Sequence, residues 1–238
     1  MQIARQARRA PATLLRRMAH ARLRRTAAGL LQRVGVFVDF VGATLAAVSP
    51  NDMLAGAAGI GVAALTLDPL DAMFVSAWWP LVLVVMRSDI ADYIIPDEAS
   101  LAIATFGLLH AAAAAMATGS SLAGSALAVA GAAGTGLGAA ALLWAIGRIF
   151  RLVRGHDGLG FGDMKLAGAS AIWLAPTDAC LALQLAAVAA LGAAMLDRRM
   201  AADDQDGALP FGAFLAPAAW MVGLARLTAP DLLGALAP

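Results

Sequence analysis

Eight apolar runs joined by short polar connections make up most of this chain, at 34–50, 54–67, 72–86, 99–118, 122–147, 164–178, 179–197 and 208–226. A bilayer core about 30 Å thick takes about 20 apolar residues per helix, with shorter stretches tolerated where protein thins the membrane. A water-soluble globule cannot cover so much apolar sequence with polar groups. Here 61% of the 238 residues are hydrophobic and 14% are charged, against roughly 45–50% and roughly 25% in soluble domains. Mean hydropathy is +0.77. A soluble enzyme, a disulfide scaffold and a disordered chain are thereby excluded. The expected fold class is all-α: a polytopic membrane helical bundle with a six-helix core and one or two extra N-terminal apolar helices.

The net charge of +1 conceals an asymmetry, because nine of the 17 basic residues fall within the first 33 positions and no acidic residue does. Such a tail can touch an anionic surface or set topology through the positive-inside rule. No aromatic residues are interleaved with the arginines to stack on bases, so membrane lipid and not nucleic acid is the expected partner. The other basic clusters lie at Arg87, at Arg148, Arg151 and Arg154, and at Arg198 and Arg199. Two spans separate each cluster from the next, so all three loops should share the cytoplasmic side. The organisation read from this pattern is a basic cytoplasmic tail (1–33), an extra N-terminal membrane segment (34–71), a six-helix core (72–226) and a short C-terminal tail (227–238).

Within 122–147, Gly131, Gly134 and Gly138 give small-xxx-small spacing. Such spacing lets helix backbones approach closely, either inside the bundle or across a homodimer. Cys180 is the single cysteine and sits among Ala179, Leu181 and Ala182, which reads as an inert buried thiol. His20, His110 and His156 are too scattered for a metal site. No metal or cofactor is expected.

Chemistry is concentrated in two loops. One runs from Asp89 through Asp92, Tyr93, Ile94, Ile95 and Pro96 to Asp97 and Glu98; the other is Asp157-Gly158-Leu159-Gly160-Phe161-Gly162-Asp163-Met164-Lys165. Ionisable groups at membrane depth are costly and mark function. Two carboxyls brought together share a proton, because like charges a few ångströms apart do not both ionise easily. One can then act as base on a water while the other, protonated, polarises a carbonyl. Gly158, Gly160 and Gly162 allow positive φ and close backbone approach. Asp163 stands near a helix N-terminus, where the dipole favours negative charge, and Lys165, the only lysine, should also hold it ionised. Pro96 ends the loop and opens the next helix. Taken singly, each motif also reads as a plain turn before a helix.

Together these residues resemble the type IV prepilin peptidases, intramembrane aspartic peptidases of the GxGD kind. Asp89 followed by Ile95-Pro96-Asp97 is similar to their first motif, and Gly160-Phe161-Gly162-Asp163-Met164-Lys165 to their second. Pro210-Phe211-Gly212-Ala213-Phe214-Leu215 is similar to a third, with Ala213 where the family has proline. The resemblance implies that Asp89 and Asp163 are the catalytic pair, with Pro96, Asp97, Gly160, Gly162 and Lys165 in support. It implies an endopeptidase removing the basic leader of type IV prepilins or pseudopilins at the cytoplasmic face of the bacterial inner membrane. Asp92, Glu98 and Asp157, with the Asp203-Asp204-Asp206 cluster, would attract that leader. The absence of a cysteine-pair domain points to the shorter single-function members, without methyl transfer. The competing readings are a non-catalytic membrane component of a pilus or secretion assembly and a small proton-coupled transporter.

Overall fold

The computed structural model describes residues 50–156, 158–196 and 209–231. The basic tail, Asp39, Asp157 and the 198–207 loop with its aspartates lie outside them. The described residues form seven helices: α1 Pro50–Thr66, α2 Pro69–Asp92, α3 Asp97–Ala117, α4 Leu122–Arg154, α5 Phe161–Ala171, α6 Pro176–Leu196 and α7 Gly212–Thr228. Four of them are long and apolar enough to cross a membrane: α2, α3, α4 and α6.

The boundaries differ from the apolar runs in ways that matter. The charged residues after runs 72–86 and 122–147 read as loops, yet α2 continues through Arg87 and Asp89 to Asp92, and α4 continues to Arg154. Both helices end on left-handed residues, Tyr93 (φ 54°) and Gly155 (φ 81°), whose N–H groups bond back to Asp89 and Arg151 carbonyls. Asp89 therefore stands in the last turn of a helix and not on a loop. Run 164–178 is not one continuous helix. Its helix stops at Ala171, about 16 Å long at 1.5 Å per residue, and α6 restarts the chain at Pro176.

This short helix is the centre of the bundle. Leu166 to Ala171 are all buried, and α5 contacts α3, α4, α6 and α7. Lipid offers no hydrophobic drive between helices, so small residues and close packing must hold them. Gly136 and Gly168 provide the α4–α5 crossing, where a methyl on Gly136 would sit 2.7 Å from the Gly168 carbonyl oxygen. The small-xxx-small glycines do something else: Gly131, Gly134 and Gly138 face open space.

Aromatic side chains lock the other end of the site helices. Trp173, just past α5, stacks on Trp78 of α2 at 4.6 Å between centroids and donates Nε1–H to the Ile103 carbonyl of α3 at 2.9 Å. Trp220 of α7 donates to the Val75 carbonyl of α2 at 3.0 Å. Such pairs contribute about 0.5–1.5 kcal/mol beyond their burial, and they join the helix of Asp89 to that of Asp163. His110 stacks on Trp173 and lies 2.7 Å from Asp71. Cys180 is exposed and not buried, because apolar neighbours in such a bundle need not point inward.

Candidate active site

Three chain segments meet where α2 ends, α5 begins and α7 begins. Pro96 caps α3 after a four-residue connection from α2. Ile95, 7% exposed, is the plug of that connection. Its side chain packs so near Gly162 and Gly212 that a methyl on either glycine would fall 3.3 Å and 2.5 Å from it. The glycines of the second motif therefore serve close approach. They do not serve positive φ: Gly160 has φ −66°, and Gly119 and Gly155 are the positive-φ glycines among the described residues. A methyl on Gly158 would strike the Phe150 ring at 2.4 Å, and one on Gly160 would meet Asp163 Oδ2 at 3.0 Å.

Asp89 and Asp163 are brought together across this junction. Asp89 is buried, and its Oδ2 accepts the Ala213 N–H at 2.8 Å. The Gly212 N–H lies against both carboxyls. Asp163 occupies the first turn of α5, outside the long spans. Burial, and secondarily the charge of Asp89, push its carboxyl up to about 7, against hydrogen bonding from the Gly160 and Gly212 backbone. Its Oδ1 is buried with no hydrogen-bond partner among the described residues.

The expectation that Lys165 and the helix dipole keep Asp163 ionised does not hold. Lys165 Nζ turns away to pair with Asp97 and lies 5.1 Å from the Phe161 ring centroid. The reason is register: Lys165 is two residues beyond Asp163, and such neighbours on a helix do not face each other. The pair ties the second turn of α5 to the first turn of α3. Because its side chains are 32% and 73% exposed, solvent screening limits its worth to about 0–1 kcal/mol. Lys165→Met is expected to shift unfolding by no more than this and to leave the proposed peptidase with more than about a tenth of its rate. Thermal unfolding and a cleavage assay check both.

Asp92, Asp97 and Glu98 are exposed beside this junction. Sequence reasoning assigns no role to Gly212 and Ala213. The motif Pro210–Leu215 flags the segment, but nothing in it announces that its backbone amides reach Asp89.

Fold and site together define a helical membrane protein with two carboxyls shared at one end of its bundle. The family model of the type IV leader peptidase family matches residues 74–196, just over half of the chain, and the chain belongs to that family. Both aspartates lie within the match. A prepilin leader peptidase/N-methyltransferase of Stutzerimonas stutzeri is 37% identical over 81 residues, 33% of this chain and 27% of that protein. Those of Pseudomonas putida and Pseudomonas aeruginosa are 37% and 35% identical over 84 and 83 residues, 34% and 33% of this chain and 28% and 27% of theirs. The chain thus spans about a quarter of the length of the curated relatives it matches. No solved structure matches.

Proposed function

We propose that this chain is an integral-membrane aspartic endopeptidase that removes the basic leader of type IV prepilins or pseudopilins at the cytoplasmic face of the bacterial inner membrane. The observation that carries the reading is the pairing of Asp163 with Asp89, close enough for the charge of one to raise the other. Asp89 is the base and Asp163 the proton carrier. Asp89 takes a proton from water as the water oxygen bonds to the scissile carbonyl carbon, and Asp163 delivers its proton to the carbonyl oxygen. The tetrahedral diol then collapses: the leaving nitrogen takes the proton held by Asp89 as the C–N bond breaks, and a diol hydroxyl returns its proton to Asp163, which leaves a carboxylic acid and an amine and restores the pair. Oδ1 of Asp163, without a protein partner among the described residues, is available to the carbonyl.

The exposed Asp92, Asp97 and Glu98 suit a basic leader at the mouth of the site. Pro96, Gly160 and Gly162 shape the junction. The open glycine face of α4 would receive a second apolar helix, from lipid-embedded substrate or from another copy of the chain. Co-expression with a type IV prepilin tests the reading: the leader is lost from the pilin, seen by mass spectrometry. An uncut pilin beside well-inserted enzyme would reject it.

The pH dependence follows from the Asp163 proton. Its folded value, about 7, lies above the ordinary 3.8 of an aspartate. The proton is therefore bound below that range and lost as pH rises through about 7, leaving two charged carboxylates and no acid. Cleavage is expected to fall about tenfold per unit above roughly pH 7. The stabilising effect of the same proton is fully present below about 3.8 and is lost through the same rise. A pH–rate profile with thermal unfolding at pH 6 and pH 8 checks both.

A further inference from the structure

α6 leans on α7 and makes almost no close backbone approach to α4, so a gap open to the side is left between α4 and α6. It is a groove of about 400 Å³, walled by Gly134, Gly138 and Leu142 of α4 and by Pro176, Cys180 and Leu183 of α6. Nothing lies within 4 Å of a methyl added to Gly134 or Gly138, and α4 is the least buried of the four long apolar helices. Behind the groove a void of about 10 Å³ reaches Ser170 of α5. Ser170 is 2% exposed, and its Oγ has no hydrogen-bond partner among the described residues. A water needs two or more polar partners, and among the side chains lining this void it would find that hydroxyl alone. Ala139, Ala179 and Leu183 line both spaces, so two methyl groups and one rotatable side chain divide the hydroxyl from the groove.

We infer that this groove takes the apolar segment that follows the scissile bond of the proposed substrate, as one helix lying between α4 and α6. This deepens the peptidase reading and rests on it. Small residues on one wall let a helix backbone approach closely where lipid supplies no hydrophobic drive. A bilayer also requires a peptide occupant to satisfy its own backbone, which one helix does. Ser170 and Asp163 lie on the same helix, seven residues apart, about 10 Å along its axis. A helix seated in the groove and continuing along α5 therefore brings one end to the level of the carboxyl pair, where a basic leader would join it.

Two other occupants fit less well. A two-fold dimer buries the same patch on both partners, so that patch must be self-complementary. One concave groove facing another leaves both unfilled. A lipid tail fills apolar space but carries no group to pair with the Ser170 hydroxyl, whereas a peptide side chain can.

Full-length protein in phospholipid vesicles is assayed with two peptides that share a basic leader and scissile bond. The long one continues into an apolar segment of about 20 residues, and the short one stops a few residues after the bond. Gly138→Leu places its side chain in the groove and is expected to raise KM for the long peptide about tenfold, with kcat unchanged and the short peptide cut as before. Gly192→Leu adds the same bulk on α6 at another open site and is expected to change neither. An equal effect of Gly192→Leu, or an equal loss on both peptides, overturns the proposal. Cys180, the single cysteine of the chain, reads occupancy without turnover. In Asp163→Asn protein, a cysteine scanned through the apolar segment of the long peptide is expected to form a disulfide with Cys180 under copper phenanthroline, at positions one helical turn apart. A bound peptide that forms none overturns the proposal, and a Cys180–Cys180 dimer in its place gives the groove to a second copy. If the wild type cleaves neither peptide, the peptidase reading fails while the cross-linking still judges the groove.

Discussion

Asp163→Asn and Asp89→Asn are each expected to abolish leader removal from a co-expressed prepilin, by about 1,000-fold or more, while leaving the protein in the membrane. The magnitude follows from the loss of a positioned proton donor or acceptor, worth about 100- to 10,000-fold. Loss of either disables a pair that works as a unit. The two variants differ in their effect on the fold. Asp163 is a partly buried carboxyl raised to about 7 by burial and a neighbouring charge, so at pH 8 the folded protein holds two like charges together. Asparagine keeps the shape and removes that repulsion. Asp163→Asn is therefore expected to be at least as stable as the wild type at pH 8 and to lose the stability difference between pH 6 and pH 8. In Asp89→Asn the amide oxygen can still accept the Ala213 N–H that the carboxylate accepts in the wild type, so this variant also folds. Activity lost with stability kept separates a chemical role from a structural one. Cleavage by either variant within tenfold of wild type would remove that aspartate from the proposed mechanism.

Gly136→Ala is expected to cost about 1–3 kcal/mol of stability, a range typical of overpacked sites, and at least about tenfold in cleavage. The added methyl would lie 2.6 Å from Ile172 Cγ1 and 2.7 Å from the Gly168 carbonyl oxygen. The isoleucine can rotate, but a backbone carbonyl in the middle of α5 cannot, so α4 and α5 must separate. Asp163 lies on that same α5, five residues before Gly168, and moves with it. A displacement of about 1 Å at a catalytic group costs up to about 100-fold. Gly192→Ala on α6 supplies the contrast, since nothing lies within 4 Å of its added methyl. There the better helix propensity of alanine acts alone, worth up to about 1 kcal/mol in favour of the fold. Unfolding in detergent with a parallel cleavage assay checks both. Equal stability of the two variants would mean that the α4–α5 crossing does not set the position of α5.

Much of the site is legible without coordinates. Asp89 and Asp163 stand out because carboxyls are rare in so apolar a chain, and Pro96 marks the start of α3 as proline commonly does. What cannot be read are facts that depend on which helix lies against which. By sequence Lys165 is placed to neutralise Asp163, yet it belongs to Asp97, 68 residues away. Gly131, Gly134 and Gly138 carry the packing spacing, yet Gly136 between them makes the contact. Spacing identifies a face that can pack, but only the neighbouring helix selects the face that does.

The sequence alone determined that this chain is a bundle of apolar helices whose few charges gather at helix ends, because a bilayer admits little else over such runs. It also singled out the two aspartates, since carboxyls are rare in so apolar a chain. Only the tertiary structure decided that the helix bearing Asp163 is a short central post, that Asp89 sits in a helix and not on a loop, and that backbone amides of α7 reach the carboxyl pair. Backbone N–H groups are the same in every non-proline residue, so their use at a site is a property of position in space and leaves no mark in the residue type.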